Sequence, residues 1–392
     1  MFSARTAWDR TQNLLSARLE MLVRRGTAPI DLTVTSPADC GLGPDEGWLR
    51  AVLASQPLAA YTPEPLGQLV ARQALARDLT RLGAHLEPGQ LVLSASTSEA
   101  YGWLFALLCD PGDSVLVPAP SYPLLPFLAE LSSVELRAFP LPEDPLGALD
   151  LDALEAIADE TTRAALLVSP ANPTGWVLTE ADRTRLDALC ARRDWGLIVD
   201  EVFVEFPRRG RSARSVAAHP GEALTFALQG LSKSAGLPGW KVAWTAVLGP
   251  APERDEALAR LELIADTQLS TAAPAQRALP DLLAGSSAWR ARVALRLDQN
   301  TRALHDGRAE DAAWDVMPSA GGWSAVVRLP HTADETEVCL AVLEAGVQVQ
   351  PGHFYDFPRG RWLVLSLLPP PARFIEGVQR MARALARLFP AR

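Results

Sequence analysis

Lysine is almost absent from this chain of 392 residues. Only two of its 37 lysine and arginine residues are lysines, Lys233 and Lys241, and both lie in one segment rich in glycine, serine and proline. Arginine can replace lysine where only positive charge is needed, but a guanidinium cannot form a Schiff base or lose its proton near neutral pH. The two surviving lysines therefore suggest a catalytic primary amine. The alternative is chance survival in an ordinary loop.

Cysteine and histidine are also scarce and scattered. The four cysteines contain no Cys-x-x-Cys pair, so they predict neither a disulfide framework nor a metal knuckle, but small buried residues in a reducing compartment. The five histidines have no metal-ligand spacing, so no metal site is expected.

Long hydrophobic runs are missing as well. No apolar run reaches the roughly 18 residues that a membrane span requires, and the first 20 residues mix charged with apolar positions, unlike a signal peptide. A net charge of −9 gives no overall attraction to nucleic acid or to an anionic membrane. We therefore expect a cytoplasmic protein without nucleic-acid or membrane partners.

The middle of the chain alternates short apolar strands with helices, which is typical of an α/β fold with a mainly parallel sheet covered on both faces. Ligands of such sheets bind at the carboxyl ends of the strands, so the polar residues there are the candidates for a site. Strands are predicted at 30–34, 91–93, 114–117, 134–139, 164–169, 196–200, 224–228, 242–248, 323–329, 347–349 and 362–367. Helices are predicted at 14–25, 48–54, 68–82, 98–108, 123–131, 151–158, 180–193, 253–267, 273–308, 334–345 and 373–388.

The pattern changes after residue 252, where two long helical stretches precede a smaller α+β unit. The length allows two or three domains. We expect a large domain at 47–280 and a small domain made of 1–46 and 281–392, with the N-terminal segment folded onto the C-terminal unit.

Three further segments lie where strands should end. They read Ser-Pro-Ala-Asn-Pro-Thr-Gly at 169–175, Val-Asp-Glu-Val-Phe at 199–203, and Leu-Ser-Ala-Ser-Thr-Ser-Glu-Ala at 93–100, the last followed by Pro-Ala-Pro-Ser-Tyr-Pro at 118–123. With the lysine segment, their order and spacing resemble the fold-type I, class I/II aminotransferases that use pyridoxal 5'-phosphate (PLP). Segments 230–233, 350–357 and 364–368 also look similar to a little-defined bacterial subgroup of that family.

The resemblance covers almost the whole chain and implies the PLP-dependent transferase fold. It implies an aminotransferase that moves an amino group between an amino acid and a 2-oxo acid. Lys233 would form the Schiff base with the cofactor and then move protons. Asp200 would pair with the protonated ring nitrogen, unless it only caps a helix or turn. Asn172 would donate to the phenolic oxygen, unless it only makes an Asx-turn.

The same resemblance implies a phosphate site. Thr97 and Ser98 open a helix, whose free N–H groups favour an anion, although simple helix capping would use the same residue types. Ser232 stands beside Lys233, and Lys241 takes a position that is normally arginine. Tyr122 would stack on the cofactor ring, or be a core aromatic residue.

Tyr61 matches a tyrosine that reaches the neighbouring subunit's phosphate, which implies a homodimer with shared active sites. Three positions depart from the family pattern: Phe203 replaces a frequent tyrosine, Ser96 replaces a glycine, and Val364 replaces the arginine that binds the substrate carboxylate. Either another arginine binds that carboxylate, or the substrate is not an ordinary α-amino acid. The candidate replacements are Arg361, Arg373 and Arg296.

Segments 321–323 and 350–355 are expected to face the substrate, or else to be a turn and a strand edge. Two other functions remain open from the residues. One is different PLP chemistry on the same fold, by a β-lyase, a decarboxylase or a ring-forming enzyme. The other is a non-catalytic PLP-binding regulatory protein, against which the acidic net charge and the early start of the aminotransferase pattern argue.

Overall fold

The computed structural model describes residues 1–330, 332, 334–358 and 361–390. The strands are β1 Ile30–Asp31, β2 Leu91–Ser94, β3 Ser114–Ala119, β4 Glu135–Pro140, β5 Thr162–Val168, β6 Gly196–Asp200, β7 Thr225–Gly230, β8 Ala243–Leu248, β9 Asp315–Val316, β10 Ser324–Arg328, β11 Val347–Gln348, β12 Gln350–Pro351 and β13 Trp362–Ser366.

The helices alternate with these strands through the first two thirds of the chain. They are α1 Leu14–Arg24, α2 Glu46–Ala54, α3 Leu69–Leu79, α4 Thr97–Leu108, α5 Leu125–Leu131, α6 Leu151–Ala156, α7 Glu180–Arg193, α8 Leu231–Ser234, α9 Ala251–Asp266, α10 Ala273–Asp306, α11 Glu335–Glu344 and α12 Pro371–Leu388. Within the described ranges, no helix combines the length and the apolar character needed to cross a bilayer.

A seven-stranded sheet forms the centre of the molecule, in the order β2-β8-β7-β6-β5-β3-β4. Strand β8 is antiparallel to both of its neighbours, and the other pairs are parallel. The predicted mainly parallel sheet is therefore confirmed. Because β2, β3, β5, β6 and β7 point the same way, the segments that follow them meet at one edge.

The central strands are apolar because helices cover both faces of the sheet. Every residue of β6 is buried, and so is nearly all of β5. Burying one such leucine or valine side chain stabilises the fold by about 1.5–3 kcal/mol. This rigid layer fixes the strand ends, and hence the polar residues that follow them.

A four-stranded antiparallel sheet, β12-β13-β10-β9, lies in the C-terminal part. Strand β1 pairs in parallel with β11, so the N-terminal segment does pack on the C-terminal unit. Helix α10 runs through residue 280, so the predicted boundary falls inside one continuous helix. The domain limits themselves stay a prediction.

The predicted helices and strands all have counterparts, with shifted ends. The strand predicted at 347–349 is divided, because β11 pairs with β1 whereas β12 pairs with β13. The chain changes partner at Val349, and no local pattern encodes that change. Strand β9 and the short helix α8 are additional, and each is too short to show a hydrophobic period.

Candidate active site

Asp200 ends the central strand β6 and is buried, with 6% of its surface exposed. The hydroxyl of Tyr101 donates to one carboxylate oxygen at 2.6 Å, and the backbone N–H of Val202 donates to the other at 2.9 Å. Burial raises the pKa of Asp200 to about 6, although these hydrogen bonds and the charge of Lys233 oppose the rise. The site thus holds a desolvated carboxylate that a cationic partner would stabilise.

Lys233 lies in α8, directly after β7, and its ammonium group is held among aromatic rings. Its Nζ is 4.7 Å from the ring centre of Trp323 and 5.6 Å from that of Phe203. Burial lowers the pKa of Lys233 to about 8, and the negative charge of Asp200 partly opposes this. An amine with that pKa is partly neutral near pH 8 and can act as a nucleophile or a base.

The N-terminus of α4 lies at the same edge of the sheet. Its cap is Ser96, whose hydroxyl accepts a hydrogen bond from the N–H of Glu99 at 3.1 Å. Helix capping therefore does not account for Thr97 and Ser98. Tyr122 instead lies close to Ser98 and Asp200: its pKa is raised first by burial and then by the charge of Asp200, whereas the Ser98 hydroxyl lowers it. The structure thus brings Ser98, Tyr122 and Asp200 together.

Asn172 follows β5 and faces the small sheet. Its Oδ1 accepts a hydrogen bond from the Ser324 hydroxyl at 3.4 Å, rather than from its own turn. The amide NH₂ group offers two further donors. Gly175 closes the turn at a φ of +72°, and a Cβ there would lie 2.1 Å from the Ser319 hydroxyl. Only glycine fits this close approach of the two chain segments.

Trp323, in segment 321–323, packs over the amine of Lys233, and the expectation that this segment faces the substrate stays a prediction. Arg208 holds this segment, because its guanidinium donates to the carbonyl of Gly322 at 2.7 Å and to that of Ser324 at 3.1 Å. Burial lowers the pKa of Arg208 to about 10. Phe203 packs edge-on against Trp323 at 5.5 Å.

Segment 350–355 reaches the same region through Ser121. The N–H of Ser121, next to Tyr122, donates to the carbonyl of Tyr355 at 2.9 Å. The hydroxyl of Tyr355 donates to Gln350 at 2.6 Å, and burial raises the pKa of Tyr355 to about 12.

Three expected cofactor residues have fewer contacts. Ser232 is half-buried in α8, beside Lys233. Lys241 is exposed, at a φ of +52°, and has no ion pair within the part of the chain that the structure describes. Tyr61 is 68% exposed in the loop between α2 and α3.

Val364 is 1% exposed, in the middle of β13, opposite Val326 of β10. The candidate arginines differ in position. Arg296 donates to the backbone carbonyls of Cys40 and Leu368 at 3.2 and 2.7 Å. Arg373 is exposed in the first turn of α12, and Arg361 lines a pocket beside β10 and β13.

Sequence reasoning missed three residues of this site. Tyr101, Ser324 and Arg208 act through neighbours distant in the chain, so no local motif marks them. One feature of the sequence could have identified Tyr101: it lies one helical turn after Thr97 and therefore on the same face of α4.

The donor set fits PLP. A buried carboxylate suits a protonated ring nitrogen, a weakly basic lysine suits an aldehyde, and hydroxyls at a helix N-terminus suit a phosphate. Each of these groups lies on a different segment, and the sheet edge brings the segments to one place.

Comparison with known proteins agrees with this arrangement. The sequence profile of the family "Aminotransferase class I and II" matches residues 32–370. An alanine aminotransferase of Mycobacterium tuberculosis is 26% identical over 389 residues, 94% of this chain and 88% of its own. A glutamate-pyruvate aminotransferase of Escherichia coli is 26% identical over 265 residues, 67% of this chain and 65% of its own.

Solved structures show the same fold. An alanine aminotransferase from Pyrococcus furiosus superposes with a TM-score of 0.89 at 20% identity, covering 99% of this chain and 100% of its own. An N-succinyldiaminopimelate aminotransferase from Mycobacterium tuberculosis gives 0.82 at 24% identity, covering 98% of this chain and 100% of its own. The chain therefore belongs to the class I and II aminotransferases, and it is a PLP-dependent enzyme that moves an amino group between an amino acid and a 2-oxo acid.

Proposed function

We propose that Lys233 is the lysine that bonds covalently to PLP, and that Asp200 faces the cofactor's ring nitrogen. One observation carries this proposal: the amine of Lys233, with its pKa lowered to about 8 by burial, lies within electrostatic reach of a buried carboxylate. Among the residue types of this chain, only lysine offers a primary amine for this bond.

PLP, when bound, supplies the electron-withdrawing ring that stabilises negative charge at the substrate's α-carbon. Once the amine of the substrate has displaced it, the free amine of Lys233 would take the α-proton of the amino acid and deliver a proton to the cofactor carbon. Asp200 holds negative charge at the ring nitrogen, and the hydroxyl of Tyr101 keeps that carboxylate ionised. Trp323 covers the amine and excludes water.

The remaining residues divide between the ring and the phosphate of the cofactor. Tyr122 and Phe203 would hold the ring, and Asn172 would donate to its phenolic oxygen. Thr97, Ser98 and Ser232 supply hydroxyl donors for the phosphate, and α4 supplies free N–H groups. Lys241 adds a point charge from the exposed turn after α8.

We also propose a homodimer in which Tyr61 reaches the partner's phosphate. The exposure of that aromatic side chain in a single chain supports this. We propose the domain limits 47–280 for the large domain, with 1–46 and 281–392 forming the small one. Unpaired thiols support a cytoplasmic location, because the four cysteines are all free.

Borohydride reduction of the PLP-loaded protein, followed by peptide mapping, tests the covalent assignment. We expect the label on the peptide that contains Lys233, and none in Lys233→Arg. Lys241→Arg should keep the label, because this position is proposed to supply only a positive charge. Because the chain has only these two lysines, a label on Lys241, or no label, would refute the proposal.

The amino donor can be identified with the same protein. Because the mycobacterial relative is named an alanine aminotransferase, alanine is the first donor to test. The change in absorbance as bound PLP is converted to the pyridoxamine form measures the first half of the transamination directly.

A further inference from the structure

We infer that Arg277 is a positioning residue for the cofactor site of the neighbouring subunit. It holds the loop between α2 and α3 in the shape that presents Tyr61, and it thereby sets the affinity of the dimer for PLP. This inference rests on the proposed function, in which Tyr61 reaches the partner's phosphate. It adds a residue that touches neither the cofactor nor the substrate.

The loop that carries Tyr61 spans residues 55–68. It contains three prolines, and each of them fixes one backbone angle, so the loop can adopt few shapes. The freedom that remains depends on how each half of the loop is attached to the rest of the chain. The two halves are attached by different groups.

The second half of the loop is fixed to the large domain without Arg277. The N–H of Leu93 in β2 donates to the carbonyl of Leu66 at 2.9 Å. The N–H of Gln68 donates to the side-chain oxygen of Gln276 at 2.6 Å, and both of these glutamine residues are buried. Removal of the Arg277 side chain therefore leaves residues 66–68 in place.

The first half of the loop depends on Arg277. The Nη2 group of this guanidinium, which extends from α10, donates to the carbonyl of Pro57 at 2.6 Å and to that of Ala60 at 3.2 Å. Among the described residues, Arg277 makes the hydrogen bonds that reach residues 57–61 from outside the loop. Ala60 directly precedes Tyr61, so Arg277 fixes the peptide unit from which that side chain begins.

The ring of Tyr61 itself remains available to a partner. Its residue is 68% exposed, whereas the loop lies closely on the start of α10. The cavity between them, lined by Tyr61 and Gln276 among others, measures only about 20 Å³, which is room for about one water molecule. A loop that already has its bound shape loses less freedom on binding, and this raises affinity without any new contact.

A double-mutant cycle on PLP affinity tests the inference. Tyr61→Phe removes the hydroxyl proposed to reach the phosphate and should weaken PLP binding by about 10-fold or more. Arg277→Met should weaken it by about 5-fold, because the freed loop must be ordered on binding. The double variant should bind PLP within about 2-fold of Tyr61→Phe, since a residue that acts through Tyr61 has little further effect once the hydroxyl is gone.

Arg292→Met is the matched control. Arg292 also extends from α10 and donates to a loop carbonyl, that of Gly43 at 3.2 Å, but this loop does not carry Tyr61. Its PLP affinity should equal that of wild type. Arg277→Lys should recover part of the loss, because it restores the charge without the planar fork. If Arg277→Met fails to fold by circular dichroism, Arg277→Lys takes its place in the cycle.

PLP titrations are made at protein concentrations at which light scattering shows dimers. Wild-type affinity in Arg277→Met would overturn the inference, as would a loss in the double variant equal to the product of the two single losses. Either result leaves the proposed role of Tyr61 intact. Wild-type affinity in Tyr61→Phe would refute that role, and the inference with it, while the assignment of Lys233 would still rest on its own label.

Discussion

At the scale of single residues, Asp200 shows how an environment sets a charge. Burial alone raises the pKa of this carboxyl, and hydrogen bonds from Tyr101 and Val202 lower it again, to about 6. Burial likewise raises the pKa of Tyr101 well above its ordinary value, so its hydroxyl stays protonated and remains a donor. The Tyr101 hydroxyl therefore helps to keep the Asp200 carboxylate ionised at a buried position, where water does not solvate the charge.

Tyr101→Phe tests this pair. Removal of a hydrogen bond to an ionised group costs about 1.5–3 kcal/mol, which corresponds to a rise of about one pKa unit or more for Asp200. Since a carboxylate is ionised only above its pKa, the pH below which PLP affinity falls should move upward by about one unit. Titrations of PLP binding between pH 5 and 9 would measure the shift.

Asp200→Asn is the reference variant for that titration, because it lacks the carboxyl group. Its side chain does not titrate, so we expect weak PLP binding without an acid-side transition. An unshifted transition in Tyr101→Phe would show that the hydroxyl does not support the charge.

At the scale of elements, the site depends on contacts between the large sheet and the small one. The turn at Gly175 presses against Ser319 and Gly321, and the N–H of Ala320 donates to the carbonyl of Gly175 at 3.0 Å. Arg208 then holds the segment that carries Trp323 over Lys233. Two turns distant in the chain thereby set one wall of the site.

Gly175→Ala should disturb both turns. The positive φ costs an L-residue about 1–2 kcal/mol, and the clash with Ser319 adds about 1–3 kcal/mol. We expect a lower free energy of unfolding in urea and a loss of transaminase activity. Gly102→Ala is the matched control. A Cβ at Gly102 would meet no heavy atom within 4 Å outside its own helix, and alanine favours a helix more than glycine does. Equal stability of the two variants would contradict this account.

At the scale of the whole molecule, the proposed dimer would explain the exposure of Tyr61. A site completed by Tyr61 of the partner subunit requires a closed, symmetric pair, since each chain gives what it receives. The chain mass of 42.2 kDa makes such a dimer easy to distinguish from a monomer by light scattering.

Mixed dimers test the shared site. Lys233→Ala and Tyr61→Ala should each be impaired alone at limiting PLP. After random exchange of subunits, half of the dimers would carry one intact site, so about a quarter of wild-type activity should return. Activity that stays at the average of the two variants would place Tyr61 in its own chain's site, or in none.

The sequence alone determined the fold class, the family, the cofactor and the position of the lysine. The hydrophobic period is local, so it marks strands and helices, and a covalent amine cannot be exchanged for arginine. The sequence also identified Ser96, Phe203 and Val364 as departures from the family pattern. Only the structure shows that Ser96 is the N-terminal cap of α4. The covalent role of Lys233 stays a prediction.

Only the tertiary structure decided which residues, distant in the chain, are in contact in the candidate active site. Tyr101 reaches Asp200 across 99 positions of the chain, and Ser324 reaches Asn172 across 152. Val364 lies opposite Val326 because β13 pairs with β10 in one register. Contacts of this kind depend on how strands pair and how sheets pack, and these arise from the summed burial of many side chains, which no single segment encodes.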